Sequence, residues 1–210
     1  MKRSASLAIA LVLAALIPAA AQAGIKTHKR TKIVGYTTVA TWEYVDGDIA
    51  TFVNVIVTDN NYSENGVRSD DAFVSLAINR AELSTGNVLM TGVAYVEGPS
   101  NFDFSIDKQL GTATLRVRDA IFQDDNSFTF FNVDMDLTWS ATGDAYVSKV
   151  NDKYREPGFR YHSHFQGTFR DGIATGSIFG KNIQFTPAPS SSGQLQFNKF
   201  GNMEVTTETP

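Results

Sequence analysis

Phe159-Arg160-Tyr161-His162-Ser163-His164-Phe165-Gln166-Gly167-Thr168-Phe169-Arg170 alternates without a break. Phe159, Tyr161, Ser163, Phe165, Gly167 and Phe169 take every odd place, and Arg160, His162, His164, Gln166, Thr168 and Arg170 every even one. A β-strand sends successive side chains to opposite faces, so this is the pattern of a strand with one apolar and one polar side. The aromatic set is expected to be core and the polar set to face outward. Asp171-Gly172 follows, a pair favoured in two-residue hairpin turns, so residues 173–179 are expected to fold back on 158–170.

The same signals continue in both directions. Turn residues recur at short intervals, and β-branched and aromatic residues fill the stretches between them. Strands are expected at 34–45, 49–58, 71–83, 88–97, 102–107, 112–122, 127–140, 158–170, 173–179, 182–186, 194–199 and 203–207. Residues 59–70 and 141–157 read as polar connections. No segment offers the 3.6-residue periodicity of a crossover helix, so pairing should be antiparallel. The expected fold is all-β: an antiparallel β-sandwich or closed β-barrel of about ten to twelve short strands.

The N-terminus has a separate character. Met1-Lys2-Arg3 is basic, Leu7 to Ala20 is almost wholly apolar, and Ala21-Gln22-Ala23 has the small-x-small form of a cleavage site. Residues 1–23 are therefore expected to be a signal peptide. Residues 24–33, with Lys26, Lys29, Arg30 and Lys32, are expected to be a flexible basic segment, and 34–210 a single β domain. Secretion or periplasmic residence follows, with no integral membrane span after processing. The chain has no cysteine, so packing and hydrogen bonds alone must hold it. Loss of Lys2 and Arg3 leaves 16 Lys and Arg against 22 Asp and Glu. Nucleic-acid binding needs clustered cations, so this acidic balance argues against it.

Two strands carry candidate chemistry. His162 and His164 sit side by side on one strand face, a spacing that can place two imidazoles on one metal. A metal site would need a further ligand, and Gln166 stands where an acid could, with Arg160 and Arg170 flanking. In 127–140, Phe131, Val133, Met135, Leu137 and Trp139 alternate with Asn132, Asp134, Asp136 and Thr138. Asp134 and Asp136 could form an acid–base pair, although they lie on one wall. Pairing with opposite charge on a neighbouring strand is the simpler use. If 127–140 lies beside 158–170, the two aspartates face Arg160, His162, His164 and Arg170. These six residues are the candidate ligand-binding set. Asp59 to Gly66 is oxygen-rich but lacks the Gly and Glu positions of a calcium loop.

Asp136-Leu137-Thr138-Trp139 with Thr142-Gly143-Asp144, then Pro157-Gly158-Phe159, then His164-Phe165 and Gly167-Thr168-Phe169-Arg170-Asp171, resemble a family of uncharacterised exported bacterial β-rich proteins of similar length. The resemblance implies export and a single β domain, and brings no activity. The expected function is an exported non-enzymatic β-domain, acting as a binding or structural component of the cell envelope or extracellular matrix. The alternatives are a small-ligand carrier barrel, and a hydrolase or metal-dependent enzyme using the His162/His164 face. No cofactor and no catalytic residue is expected. An envelope polymer, a small ligand or a protein are the partner classes.

Overall fold

The computed structural model describes residues 26–180, 183–185 and 189–207. The signal peptide expected at 1–23 lies outside the described residues. Eleven strands follow in order: β1 (Lys26–Asp46), β2 (Ile49–Glu64), β3 (Val67–Glu82), β4 (Val88–Glu97), β5 (Asp103–Ile106), β6 (Thr112–Asp124), β7 (Thr129–Ala141), β8 (Tyr146–Glu156), β9 (Phe159–Gly180), β10 (Ile183–Phe185) and β11 (Ser192–Thr207). All their pairings are antiparallel. Among the described residues there is no helix, and so none long and apolar enough to cross a membrane.

Eight strands close into a ring, β1-β2-β3-β4-β6-β7-β9-β11, with β11 returning to β1. The interior is filled by alternate side chains, as period-2 patterning demands. Val53, Val55 and Val57 from β2 meet Val74, Leu76 and Ile78 from β3. Val133, Met135, Leu137 and Trp139 fill the opposite wall, as the β7 alternation predicts. Each such side chain contributes roughly 1.5–3 kcal/mol by leaving water. Trp139 also donates its indole N–H to the Val39 carbonyl at 3.0 Å, tying β7 to β1. The inward period survives one interruption in β6. Val117 pairs Met135 and Ala120 pairs Val133, so one extra residue bulges out. Asp119 takes a positive φ there, and its N–H donates to Asp134 Oδ1 at 2.8 Å.

Several strands run far longer than expected. β9 is 22 residues and passes straight through Asp171-Gly172 with no turn. Gly172 serves close approach instead, because a Cβ there would press on Leu195 Cδ1 and the Ser140 carbonyl, both at 2.8 Å. β8 lies in what reads as a connection. β2 and β3 replace the loop expected at 59–70, joined by Asn65-Gly66, where both residues adopt positive φ. β11 is one strand where two were expected. Lys26–Ile33, expected to be flexible, is strand, with β11 along one edge and β2 bordering its final residues.

These extra lengths have one consequence. β7 runs on into β8 along the same edge of β9: Ala141 pairs Gly172 and Tyr146 pairs Phe169. β4 leaves β3 at the Phe73–Glu97 pair. Beyond these points the sheet β8-β9-β11-β1-β2-β3 leaves the ring as a six-stranded extension, about 24 Å wide. Both of its faces meet solvent, and its edges are β8 and residues 67–71, with residues 26–30 of β1 unpaired by β2 near the tip.

The ring is narrowest where β4 meets β6, across only Gly92–Asp124, Val93–Gln123 and Ala94–Phe122. A Cβ on Gly92 would be driven into the Gln123 carbonyl. Gly92→Ala is therefore expected to cost about 1–3 kcal/mol, read as a lower urea midpoint. An unchanged midpoint would contradict this closure.

Candidate functional site

Directly paired residues of antiparallel strands share a face, so the extension can be read row by row. His164 lies between Asn151 of β8 and Gly201 of β11, and the row continues through Lys32, Ser63 and Arg68. The next row outward is Lys153, His162, Met203 and Arg30. Beyond it come Arg155, Arg160, Val205 and His28, with Lys26 at the tip. Toward the ring the row is Lys149, Gln166, Lys199, Val34, Asn61 and Asp70. One face thus gathers nine of the sixteen Lys and Arg that follow residue 23, and every histidine of the chain.

Opposing charge is scarce there. Asp70 shares the face, and Asp59 sits nearer the ring. Burial and then the Asp70 charge push the Asp59 carboxyl above its ordinary range. The ion pairs among the described residues are Lys29–Glu64, Arg116–Asp136 and Arg118–Asp136, and none lies on this face. Arg155 opposes Arg160 directly, and Lys153 opposes His162. Like charges placed opposite one another destabilise a sheet. Two open depressions mark the face. One, of about 510 Å³, is lined by Lys26, His28, Lys153, Arg155, Arg160 and His162 among others. The second, of about 460 Å³, lies around Gly201.

The reverse face has the opposite chemistry. Phe159, Tyr161, Phe165 and Phe169 lie there, half-buried and outside the core, which corrects the expectation that they form it. They pack with each other and with β8: Tyr146 stacks on Phe169 with ring centres 5.4 Å apart, and Tyr154 meets Phe159 at 6.1 Å. Asp152, Glu156 and Glu204 share that face. The polar set of β9 is the one continuous with the ring interior, because Arg170 leads by twos to Ala174 and Ile178, both fully buried.

The six candidate residues separate into three groups. Arg160, His162 and His164 belong to the cationic face. His164 Nδ1 contacts Asn151 Oδ1 at 2.6 Å. Among the described residues no three His, Cys, Asp or Glu come close enough to hold a metal, and the groups paired with His162 and Arg160 on β8 are Lys153 and Arg155. Arg170 is tied down at the mouth of the ring, donating from Nε to the Gly143 carbonyl at 2.7 Å and from Nη1 to the Gln109 carbonyl at 3.3 Å.

Asp134 and Asp136 lie elsewhere, on the outer wall of the ring. β7 pairs with residues 172–180 of β9, not with 158–170, so neither aspartate meets the histidines. Asp134 braces the β6 bulge. Asp136 takes Arg116 Nε at 3.0 Å and Arg118 Nη2 at 2.7 Å. Pairing with opposite charge on a neighbouring strand is its use, and the strand is β6. Sequence reasoning missed Lys149, Lys153, Arg155 and Lys199. For β8 the signal was present: Lys149, Asn151, Lys153 and Arg155 alternate with Val150, Asp152, Tyr154 and Glu156.

No protein-family model matches the chain, and no curated protein is significantly similar to it.

Partial burial raises the Asp136 pKa, but the two guanidiniums outweigh it and the net shift is downward from 3.8. A depressed carboxylate stabilises the fold above its unfolded pKa, and the contribution fades as pH falls through the folded value. The pairs are exposed, so Asp136→Asn should cost about 1 kcal/mol or less at neutral pH. The difference in melting temperature should close in acid, and a gap constant across pH would contradict the ion-pair role. Asp59→Asn should act in the opposite sense, raising the melting temperature at neutral pH with a gain that shrinks on acidification.

Proposed function

We propose that this chain is an exported, non-enzymatic β-domain that binds an anionic polysaccharide of the cell envelope or extracellular matrix through the cationic face of its sheet extension. One observation carries the reading. An acidic chain concentrates nine Lys and Arg and three His on one solvent-facing sheet surface, with no carboxylate of the described residues within ion-pair distance. Such a surface raises the local concentration of anions and speeds their encounter.

Other features favour a polymer over a small molecule. The face is open and spans about 24 Å. The ring interior is lined by packed side chains such as Val55, Leu76, Met135 and Trp139, whereas the cationic face is open along its length. A polysaccharide suits the face better than a nucleic acid. Sequence-tolerant binding of single strands relies on aromatic stacking platforms, and the aromatics of β8 and β9 lie on the reverse side. The basic clustering whose absence argued against nucleic acid does exist in the fold, so a nucleic acid belongs in the test as a competitor. Export rests on the basic, apolar and cleavage-site order of residues 1–23.

Retention on immobilised dextran sulfate should fall steeply between about 50 and 200 mM salt. Lys153→Glu with Arg155→Glu, on the exposed edge strand, should weaken binding and flatten that salt dependence with the fold intact. The reverse-face variant Lys29→Glu should bind much as the wild type does. Failure to bind any polyanion at low salt would overturn the reading. Preferential capture of single-stranded DNA or RNA over the polysaccharide would replace the ligand class.

A further inference from the structure

Gly201 stands at the centre of the cationic face, and it is the place where a side chain is missing. Its direct partners are His164 on one side and Lys32 on the other. Lys199 and Met203 flank it along β11, each two residues away and therefore on the same face. The depression of about 460 Å³ around it is lined by Arg30, Lys32, His164 and Lys199 together with Gly201. Arg30 and Lys32 of β1, Lys199 of β11 and the imidazole of His164 on β9 thus stand around a floor without a Cβ.

The fold does not require glycine here. Gly201 has no positive φ, and a Cβ built on it would meet nothing nearer than the Thr31 carbonyl at 3.9 Å, an ordinary contact. Glycine weakens a strand and often marks close approach by a ligand. Its contrast with Gly172 and Gly92 is instructive, because a side chain at either of those collides with neighbouring atoms. Gly201 is open toward the cations alone.

Resting on the polysaccharide reading above, we infer that the hollow over Gly201 seats one sulfate or phosphate ester group of the polymer, held between Lys32, Lys199, Arg30 and His164. The donor set decides the chemistry. A planar carboxylate is best matched by the paired N–H groups of arginine, and lysine acts as a point charge. Two lysines, one arginine and one imidazole line the hollow from three strands, which suits a compact tetrahedral oxyanion. The Lys199 ammonium rests 5.2 Å from the centre of the Phe197 ring and would turn from it to reach the anion. His164 Nδ1 lies 2.6 Å from Asn151 Oδ1, which fixes the ring at the rim of the hollow.

The test uses dextrans of matched length and charge density that carry sulfate, phosphate or carboxymethyl groups, with binding measured by calorimetry. Wild type should prefer the sulfate and phosphate forms over the carboxymethyl form, and the stronger of the two names the ester. Gly201→Leu fills the hollow, keeps every charge and places a better strand former in β11. Its melting temperature should hold or rise, its affinity for the preferred dextran should fall about tenfold, and its salt dependence should stay nearly unchanged. Gly201→Ala should fall between the two and serves if the leucine variant folds poorly. A folded Gly201→Leu that binds as tightly as wild type would overturn this seat and leave the cationic-face reading standing. Equal binding of all three dextrans would overturn the ester preference. Absence of binding to all of them would overturn the polysaccharide reading itself.

Discussion

The structure depends on β9 running uninterrupted through Asp171-Gly172. Residues 172–180 close the ring against β7, and residues 159–171 form the spine of the extension between β8 and β11. A hairpin at this point would detach the two halves and leave β11 without its partner. Gly172 permits the straight course because Leu195 and the Ser140 carbonyl occupy the space a side chain would need. The strand therefore transmits one alternation from the packed interior to the open sheet. Whatever chemistry occupies its even positions continues the inner wall of the ring.

That continuity explains which part of the sequence could be read and which could not. Turn spacing with β-branched and aromatic content identified strands at 71–83, 88–97, 112–122 and 127–140, and in 127–140 the apolar half of the alternation, Phe131 to Trp139, proved to be core. There the period carries an unambiguous sign, since one face is buried against the rest of the ring. In 159–170 the period was correct and the sign was reversed. Aromatic residues normally mark the buried face, yet in a sheet solvated on both sides neither face is core. The decisive parity lies further along, in Ala174 and Ile178, and the turn expected at Asp171-Gly172 hid the connection. Asp-Gly favours a hairpin only when the flanking strands can pair with each other, and here both already have better partners. Tertiary pairing overrode the local preference in β8 as well, where Gly143-Asp144 and a run of polar residues read as a connection.

A sheet with two wet faces has little hydrophobic burial to hold it. Its stability comes from long, regular pairing to strands anchored in the ring, and from the aromatic packing of Tyr146, Tyr154, Phe159 and Phe169 on the reverse side. Gly167 lies beneath Phe165 and Phe169, whose rings come within 3 Å of where its Cβ would be. The rings cover the bare backbone of the strand, and this is their structural use. The aromatic face thus supports the extension mechanically, which leaves the other face free of any packing duty.

The charges on that free face then need a reason of their own. Lysines along an exposed edge deter pairing with a second chain, and this accounts for Lys149 and Lys153 on β8. It does not account for Lys32 and Lys199, which have paired strands on both sides. Nor does it account for Arg160, which faces Arg155 from an interior strand at a cost in stability. Sites that break a local rule with no compensation inside the fold are where function is expected. Here the missing compensation is anionic, it spans several strands, and Gly201 leaves room for it at the centre. An anion bridging β1, β9 and β11 would relieve the repulsion among the cations those strands carry. Binding would then stabilise the extension as well as the complex.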